Sequence, residues 1–253
     1  MEIDAPKEKD LFKAAETGSA SLFKSLLEKE LRWDLSMRNE DGRSLLHVAV
    51  SAGRVEVVRV LAEAGRGGSI VNSTDEDGWA PLHSAASCGY PEIVNILLEN
   101  GADINLTNDG GRTALHYAAS KGWLKIAETL ISQGAIINKK DKVGCTPLHR
   151  AASTGCMELC ELLLEEGAEI DAIDRTGQTP LMQAVVCHNQ EVIFEKKPSK
   201  QSVLCLNQEV ALLLIRHGAD VDIEDKEGYT ALGLASGDLR SLLVDAAKAM
   251  LEG

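Results

Sequence analysis

One six-residue segment recurs along this chain: Ser44-Leu-Leu-His-Val-Ala49, Ala80-Pro-Leu-His-Ser-Ala85, Thr113-Ala-Leu-His-Tyr-Ala118, Thr146-Pro-Leu-His-Arg-Ala151, Thr179-Pro-Leu-Met-Gln-Ala184 and Thr230-Ala-Leu-Gly-Leu-Ala235. A glycine stands two residues ahead of each copy, at 42, 78, 111, 144, 177 and 228, so the steps are 36, 33, 33, 33 and 51 residues. A unit this short cannot bury an apolar face alone, and a fixed period therefore confines the chain to architectures that stack one unit on copies of itself. The composition agrees, since residues are 44% apolar but only 4% aromatic, which calls for a core of closely packed aliphatic and small side chains rather than a β-sandwich. No apolar run approaches the roughly 20 residues of a membrane-spanning helix. The N-terminal residues lack the apolar stretch of a secretory signal.

Within a copy, each residue type predicts a piece of local structure. Thr146 and Thr179 stand where a helix N-cap hydroxyl is wanted, and Pro147 and Pro180 take the first helical position, where a missing N–H costs nothing. Paired alanines such as Ala118-Ala119 keep this inner helix thin, and Gly89, Gly122 and Gly155 end it. An outer helix follows, as in the apolar stripe of Glu92-Ile-Val-Asn-Ile-Leu-Leu98, and Gly101-Ala-Asp103 turns the chain toward the next tip. The expectation is an all-α solenoid of about seven helix-turn-helix repeats, one domain over 1–253. It would have an N-terminal cap at about 10–35, repeats over about 36–227 and a C-terminal cap over about 228–253.

The last step exceeds the period by 18 residues, and Asn-Gln-Glu-Val occurs twice at that separation, at 189–192 and 207–210. Removing 193–210 restores the period, so this segment reads as an optional insertion that lengthens the loop between the two helices of the sixth repeat. Lys196, Lys197, Pro198 and Lys200 have loop character.

Sequence motifs for chemistry are missing: there is no P-loop, no GxSxG, no HExxH and no glycine-rich strand-to-helix turn. His47, His83, His116 and His149 share one repeat position, which predicts a ladder of buried imidazoles bonded to backbone. Cys156 and Cys160 share a helix face but lack further metal ligands, and the six cysteines show no disulfide framework. The chain is therefore expected to be no enzyme and to carry no cofactor or metal. Its net charge of -13 argues against nucleic acid and allows a basic protein partner. It is expected to be a monomer in the cytoplasm and nucleus.

A 33-residue period carrying T-P-L-H-x-A resembles the ankyrin-repeat signature, and the resemblance extends over nearly the whole chain. In that family the tips and inner helices form a concave protein-binding surface. The tips here have net charges of -1, -3, 0, +2, 0 and -2 in chain order, an acidic N-terminal half followed by a basic fourth tip, Lys139-Lys140-Asp141-Lys142. Trp79 is expected either to anchor a partner or to pack on the next tip. Small residues on the inner helices, Ser51, Ser87 and Cys88 among them, predict a floor that another protein can approach. Asp75, Glu76 and Asp77 are expected to be replaceable together by alanine with little change in melting temperature.

Four further matches resemble the gankyrin family of proteasome assembly chaperones more specifically: Ser51-Ala-Gly53, Asp77-Gly-Trp-Ala-Pro-Leu-His83, Leu115-His-Tyr-Ala-Ala-Ser-Lys121 and the terminal Met250-Leu-Glu-Gly253. This resemblance implies a chaperone for the 26S proteasome regulatory particle that holds the C-terminal domain of one proteasomal ATPase subunit. It places Arg43, Trp79 and Lys121 on contact positions, with Glu40, Asp41, Asp75, Glu76 and Asp77 as acidic partners. Asp109 and Arg112, on the third tip, complete the expected binding set. The LxCxE motif that some members use for pocket proteins does not occur here. The alternative is an ankyrin adaptor or inhibitor in signalling, binding a kinase or transcription factor, because unrelated functions share this fold.

Overall fold

The short inner segments become helices because each start supplies its own caps. In a computed structural model describing residues 8–28, 35–65, 70–193 and 201–252, the described residues form helices and turns with no strand. The helices are α1 (Glu8–Thr17), α2 (Ala20–Glu28), α3 (Leu45–Ser51), α4 (Val55–Ala64), α5 (Pro81–Cys88), α6 (Pro91–Glu99), α7 (Ala114–Lys121) and α8 (Leu124–Ser132). They continue with α9 (Pro147–Ser153), α10 (Met157–Glu165), α11 (Pro180–Ile193), α12 (Gln201–Arg216), α13 (Ala231–Leu234) and α14 (Gly237–Glu252). Inner helices are α1, α3, α5, α7, α9, α11 and α13, and the others are outer. The repeat pairs expected from the sequence are thus present, the N-terminal one being α1 and α2 and the C-terminal one α13 and α14.

The chain divides into two compact units. The first holds residues up to Ala114 together with Ser132–Ala135, and the second holds Leu115–Ile131 and the residues from Ile136 on. In the first unit inner packs on inner and outer on outer, α1 on α3, α3 on α5, α2 on α4 and α4 on α6. Leu11, Phe23, Leu46, Leu61, Ile93 and Leu97 are fully buried there. The second unit repeats the scheme, α9 on α11, α11 on α13, α10 on α12 and α12 on α14, around Leu148, Leu159, Leu163, Leu181, Leu214 and Leu243. Each such leucine contributes about 1.5–3 kcal/mol by leaving water. Ala151 and Ala152 have no exposure, as an inner helix at close range requires. At the end of α5, Gly89 adopts φ 79, a left-handed conformation that a side chain would strain.

The helix starts show a cap the sequence did not separate from the threonine. Nδ1 of His47, His83 and His149 accepts the backbone N–H of Ser44, Ala80 and Thr146 at 3.2, 2.9 and 3.1 Å. At Ala80, which has no hydroxyl, the histidine does this alone. The hydroxyl cap operates at Ser44, and again where histidine is lost: Thr179 Oγ1 accepts from Met182 N at 3.3 Å and Thr230 Oγ1 from Gly233 N at 3.1 Å.

The 18-residue insertion differs from the expected loop. Residues 201–210 are helical and continue directly into the outer helix as α12, while α11 runs on to Ile193. The second Asn-Gln-Glu-Val copy is the one joined to the stack through α12, with Asn207 and Val210 buried. Neither helix meets a residue that stops it: proline and the lysine cluster lie between, at Lys196, Lys197, Pro198 and Lys200, outside the described residues.

Candidate functional site

Each tip is built on one side-chain oxygen. Asp75 Oδ1 accepts the backbone N–H of Asp77 at 3.1 Å and of Trp79 at 2.8 Å, while Asp75 N donates to the Trp79 carbonyl at 3.0 Å and Gly78 N to the Asp75 carbonyl at 3.1 Å. This aspartate turn replaces strand pairing as the way the loop closes. The same oxygen position is filled by Asn39, Asn108, Asp141, Asp174 and Asp225, each accepting from the residues two and four further on.

The histidine ladder fixes the tips against the inner helices. Since Nδ1 accepts a backbone N–H, the ring proton is on Nε2, which donates to a carbonyl of the following repeat. His47 reaches the Trp79 carbonyl at 2.8 Å, His83 the Leu106 carbonyl at 2.8 Å and His149 the Gln178 carbonyl at 3.0 Å. His116 Nε2 lies 3.1 Å from the Cys145 carbonyl. Burial holds the pKa of His47 down at about 4 and lowers those of His83 and His149, so these rings are neutral structural donors, as the repeat position implied.

In the first unit these tips enclose a groove of about 500 Å³ lined by Asp41, Arg43, Asp75, Glu76, Asp77 and Trp79 over a floor of Ser51, Ser84, Ser87 and Cys88. Arg43 crosses it, its Nη2 donating to Ser51 Oγ at 2.7 Å and its Nε lying 3.8 Å from Asp75 Oδ2. That Nε–H makes no hydrogen bond, so the guanidinium is held by one hydroxyl and one loose carboxylate. Trp79 is half-buried and stands edge-on to His83, with ring centroids 6.2 Å apart. It forms a wall of the groove, between the two roles anticipated for it.

Six of the ten candidate residues are therefore brought together. Glu40 is exposed and lines a neighbouring concavity, between α1 and the first tip, to which Asp41 and Arg43 also belong. Asp109 and Arg112 form the third tip, where the Asp109 N–H donates to the Asp77 carbonyl at 3.2 Å, and neither lines the groove. Lys121 is exposed at the end of α7, in the second unit. The second-tip acids divide by role. Asp75 is spent on the turn and on Arg43, so its replacement by alanine must cost stability, against the sequence expectation; Glu76 and Asp77 are exposed and free for contact. Sequence reasoning missed this, although an Asp or Asn three residues ahead of every tip glycine was there to be read. It also missed Ser84 on the floor.

Exposed carboxylates, one guanidinium, an indole edge and small hydroxyls suit reversible, salt-sensitive recognition of a cationic protein surface. Among the described residues no group of three or more histidines, cysteines or acids could hold a metal ion, and no helix is long and apolar enough to cross a membrane.

The comparisons with known proteins agree with this geometry. The family model described as "Ankyrin repeats (3 copies)" matches residues 11–108, 101–174 and 136–194, and that described as "Ankyrin repeat" matches 176–226. Among solved structures, the ankyrin repeat domain of human ASB11 is similar at 26% identity and a TM-score of 0.73, over 93% of this chain and 96% of that one. The ankyrin repeat domain of Bcl-3, a member of the IkappaB protein family, is similar at 24% identity and a TM-score of 0.72, over 96% of this chain and 100% of that one. At that identity the Bcl-3 likeness speaks for the fold alone. The curated proteins give no match.

Proposed function

Because the chain belongs to the ankyrin-repeat family, a fold that typically serves as a non-catalytic protein-binding scaffold, we propose that it is an assembly chaperone of the 26S proteasome regulatory particle. It holds the C-terminal domain of one ATPase subunit by steric occlusion and charge matching, and acts in the cytoplasm and nucleus. The observation that carries this reading is the groove of the first unit. There the Arg43 and Trp79 of the sequence resemblance stand beside exposed Asp41, Glu76 and Asp77, a surface that fits a basic helical domain.

The test is direct binding of the purified chain to the separate C-terminal domains of the regulatory-particle ATPases, together with recovery from cell extract. One ATPase domain should bind, and a variant carrying Asp41→Ala, Glu76→Ala and Asp77→Ala should lose most of that affinity while nearly keeping its melting temperature, because none of the three side chains accepts a turn N–H and Asp41 meets the Asn39 amide only at 3.5 Å. Recovery of kinases or transcription factors without proteasome subunits would move the assignment to a signalling adaptor or inhibitor.

A further inference from the structure

The tips of the second unit carry a different charge at one register. Immediately after the turn-forming aspartates Asp141, Asp174 and Asp225 come Lys142, Arg175 and Lys226, one cation per repeat. All three are exposed, and none of their side chains has a hydrogen-bond or ion-pair partner among the described residues. Their backbones are tied in line, since Arg175 N donates to the Val143 carbonyl at 2.9 Å and Lys226 N to the Thr176 carbonyl at 2.9 Å. The tips are also close: a Cβ on Gly144, at φ +86, would lie 2.7 Å from Arg175 N. The cations therefore stand in a row fixed by the fold, on a chain whose net charge is -13.

Between the fifth and sixth tips this row borders a groove of about 460 Å³ whose lining includes Arg175, Lys226, Gln178 and Gln183. The two glutamines are joined by Gln183 Nε2 donating to Gln178 Oε1 at 2.7 Å, which leaves amide groups to bond an extended backbone. Val143, Ile173 and Tyr229 are exposed apolar side chains on the same tips. Opposing charge comes from Asp174, Asp225 and Glu227, which share the groove's lining, and from Glu224 of the sixth tip. The positive field is therefore strongest at the fourth tip, where Lys139 and Lys140 stand with Lys142 and Asp141 is paired with Arg150.

We propose that the tips of the second unit bind an extended acidic segment of a partner protein, with its carboxylates on Lys142, Arg175 and Lys226 and its apolar side chains on Val143 and Ile173. This surface is separate from the groove assigned above and does not depend on that reading. Neighbouring repeats are spaced roughly as packed helices, about 8–10 Å, which an extended chain covers in about three residues. The row thus fits a carboxylate at every third position. A nucleic acid strand, with a phosphate about every 3.4 Å along its helix axis, is too dense in charge for three cations on an acidic chain and offers nothing to the exposed apolar groups.

The experiment uses the full chain and a fluorescently labelled peptide of about fifteen residues with glutamate at every third position and leucine and serine between, read by anisotropy. Saturable binding should weaken as salt rises, and a variant with Lys142→Glu, Arg175→Glu and Lys226→Glu should bind at least about tenfold more weakly. The Lys142→Gln, Arg175→Gln and Lys226→Gln variant should fall between the two, and it keeps the test valid if charge reversal disturbs folding. A peptide of the same composition with its glutamates clustered should bind less well. Undiminished binding by either triple variant, absence of saturable binding to the wild-type chain, or preference for single-stranded RNA of equal charge would each overturn the proposal.

Discussion

The tips of the two units are one structure with opposite charge at a single register. In the first unit the residue after the turn-forming Asp or Asn is Glu40, Glu76 or Asp109; in the second it is Lys142, Arg175 or Lys226. The scaffold beneath is common to both. In each unit an Asx oxygen accepts two backbone N–H groups, a glycine takes a positive φ, and a histidine of the preceding inner helix can hold the tip carbonyl, as His47 holds Trp79 and His149 holds Gln178. The difference teaches where selection for binding can act. The turn uses the backbone of the residue after its acceptor but not its side chain, and there the sign of the charge is free to change.

The largest effect should come from acid, which attacks what the units share. The His47 ring is held near a pKa of about 4 by burial, below the ordinary value of 6.5, and His83 and His149 are lowered for the same reason. As pH falls the unfolded chain takes up protons first, so the His47 contribution is complete above about 6.5 and is lost progressively toward about 4, and those of His83 and His149 fall in the same direction. His47 alone accounts for roughly 3 kcal/mol of that loss. Urea unfolding at a series of pH values should show the decline, and His47→Gln should flatten part of it. Amide exchange should show tips loosening in both units while the sixth tip, whose preceding helix has Met182 in place of histidine, changes least. Acid loosening confined to one unit would break the claim of a common scaffold.

A smaller effect separates the two aspartates that meet an arginine. Asp141 has a side chain 1% exposed, accepts from Val143 N and Cys145 N at 3.0 Å each, and pairs with Arg150 of its own inner helix. Burial raises its pKa, but the Arg150 hydrogen bond and charge outweigh this and leave it below the ordinary carboxylate value. Asp75 is 12% exposed and meets Arg43 of the preceding tip only loosely. Asp141→Ala leaves a half-buried guanidinium unpaired as well as an open turn and should cost about 3–5 kcal/mol. Asp75→Ala should cost about 1–2 kcal/mol, because water can reach the freed N–H groups. Asp75→Asn should be nearly neutral, since Asn39 and Asn108 perform the same turn elsewhere in the chain. Thermal melts of the three variants give the order directly, and equal losses for the two alanine variants would show that the arginine partner adds nothing at Asp141.

The fold was legible because its determinants are periodic: six copies of one segment, a glycine ahead of each and alanines at one face leave little choice of architecture. Six of the candidate residues fell into one groove for the same reason, tip positions being set by repeat number. What the sequence did not disclose was the division of labour within a tip. Charge counting treats Asp75, Glu76 and Asp77 alike, whereas the turn consumes only the first, and at the fourth tip Asp141 is masked by Arg150, so Lys142 stands more positive than the tip sum implies. The insertion was misjudged by a related limit. Loss of period marks extra residues but not their conformation, and helix formation in 201–210 needs only continuity with the outer helix that follows.

The smallest effect on stability is expected from exchanging the charges themselves. Glu76→Lys and Lys142→Glu alter exposed side chains that hold no turn, and exposed pairs contribute about 0–1 kcal/mol, so either variant should stay within about 0.5 kcal/mol of the parent in urea unfolding. Binding should respond in opposite directions. Glu76→Lys should weaken a cationic partner at the first unit without touching the acidic peptide at the second, and Lys142→Glu should do the reverse, each with a shallower dependence on salt. A stability loss beyond about 1 kcal/mol in either would mean that this register supports the turn after all. In that case the charge pattern would reflect folding rather than recognition.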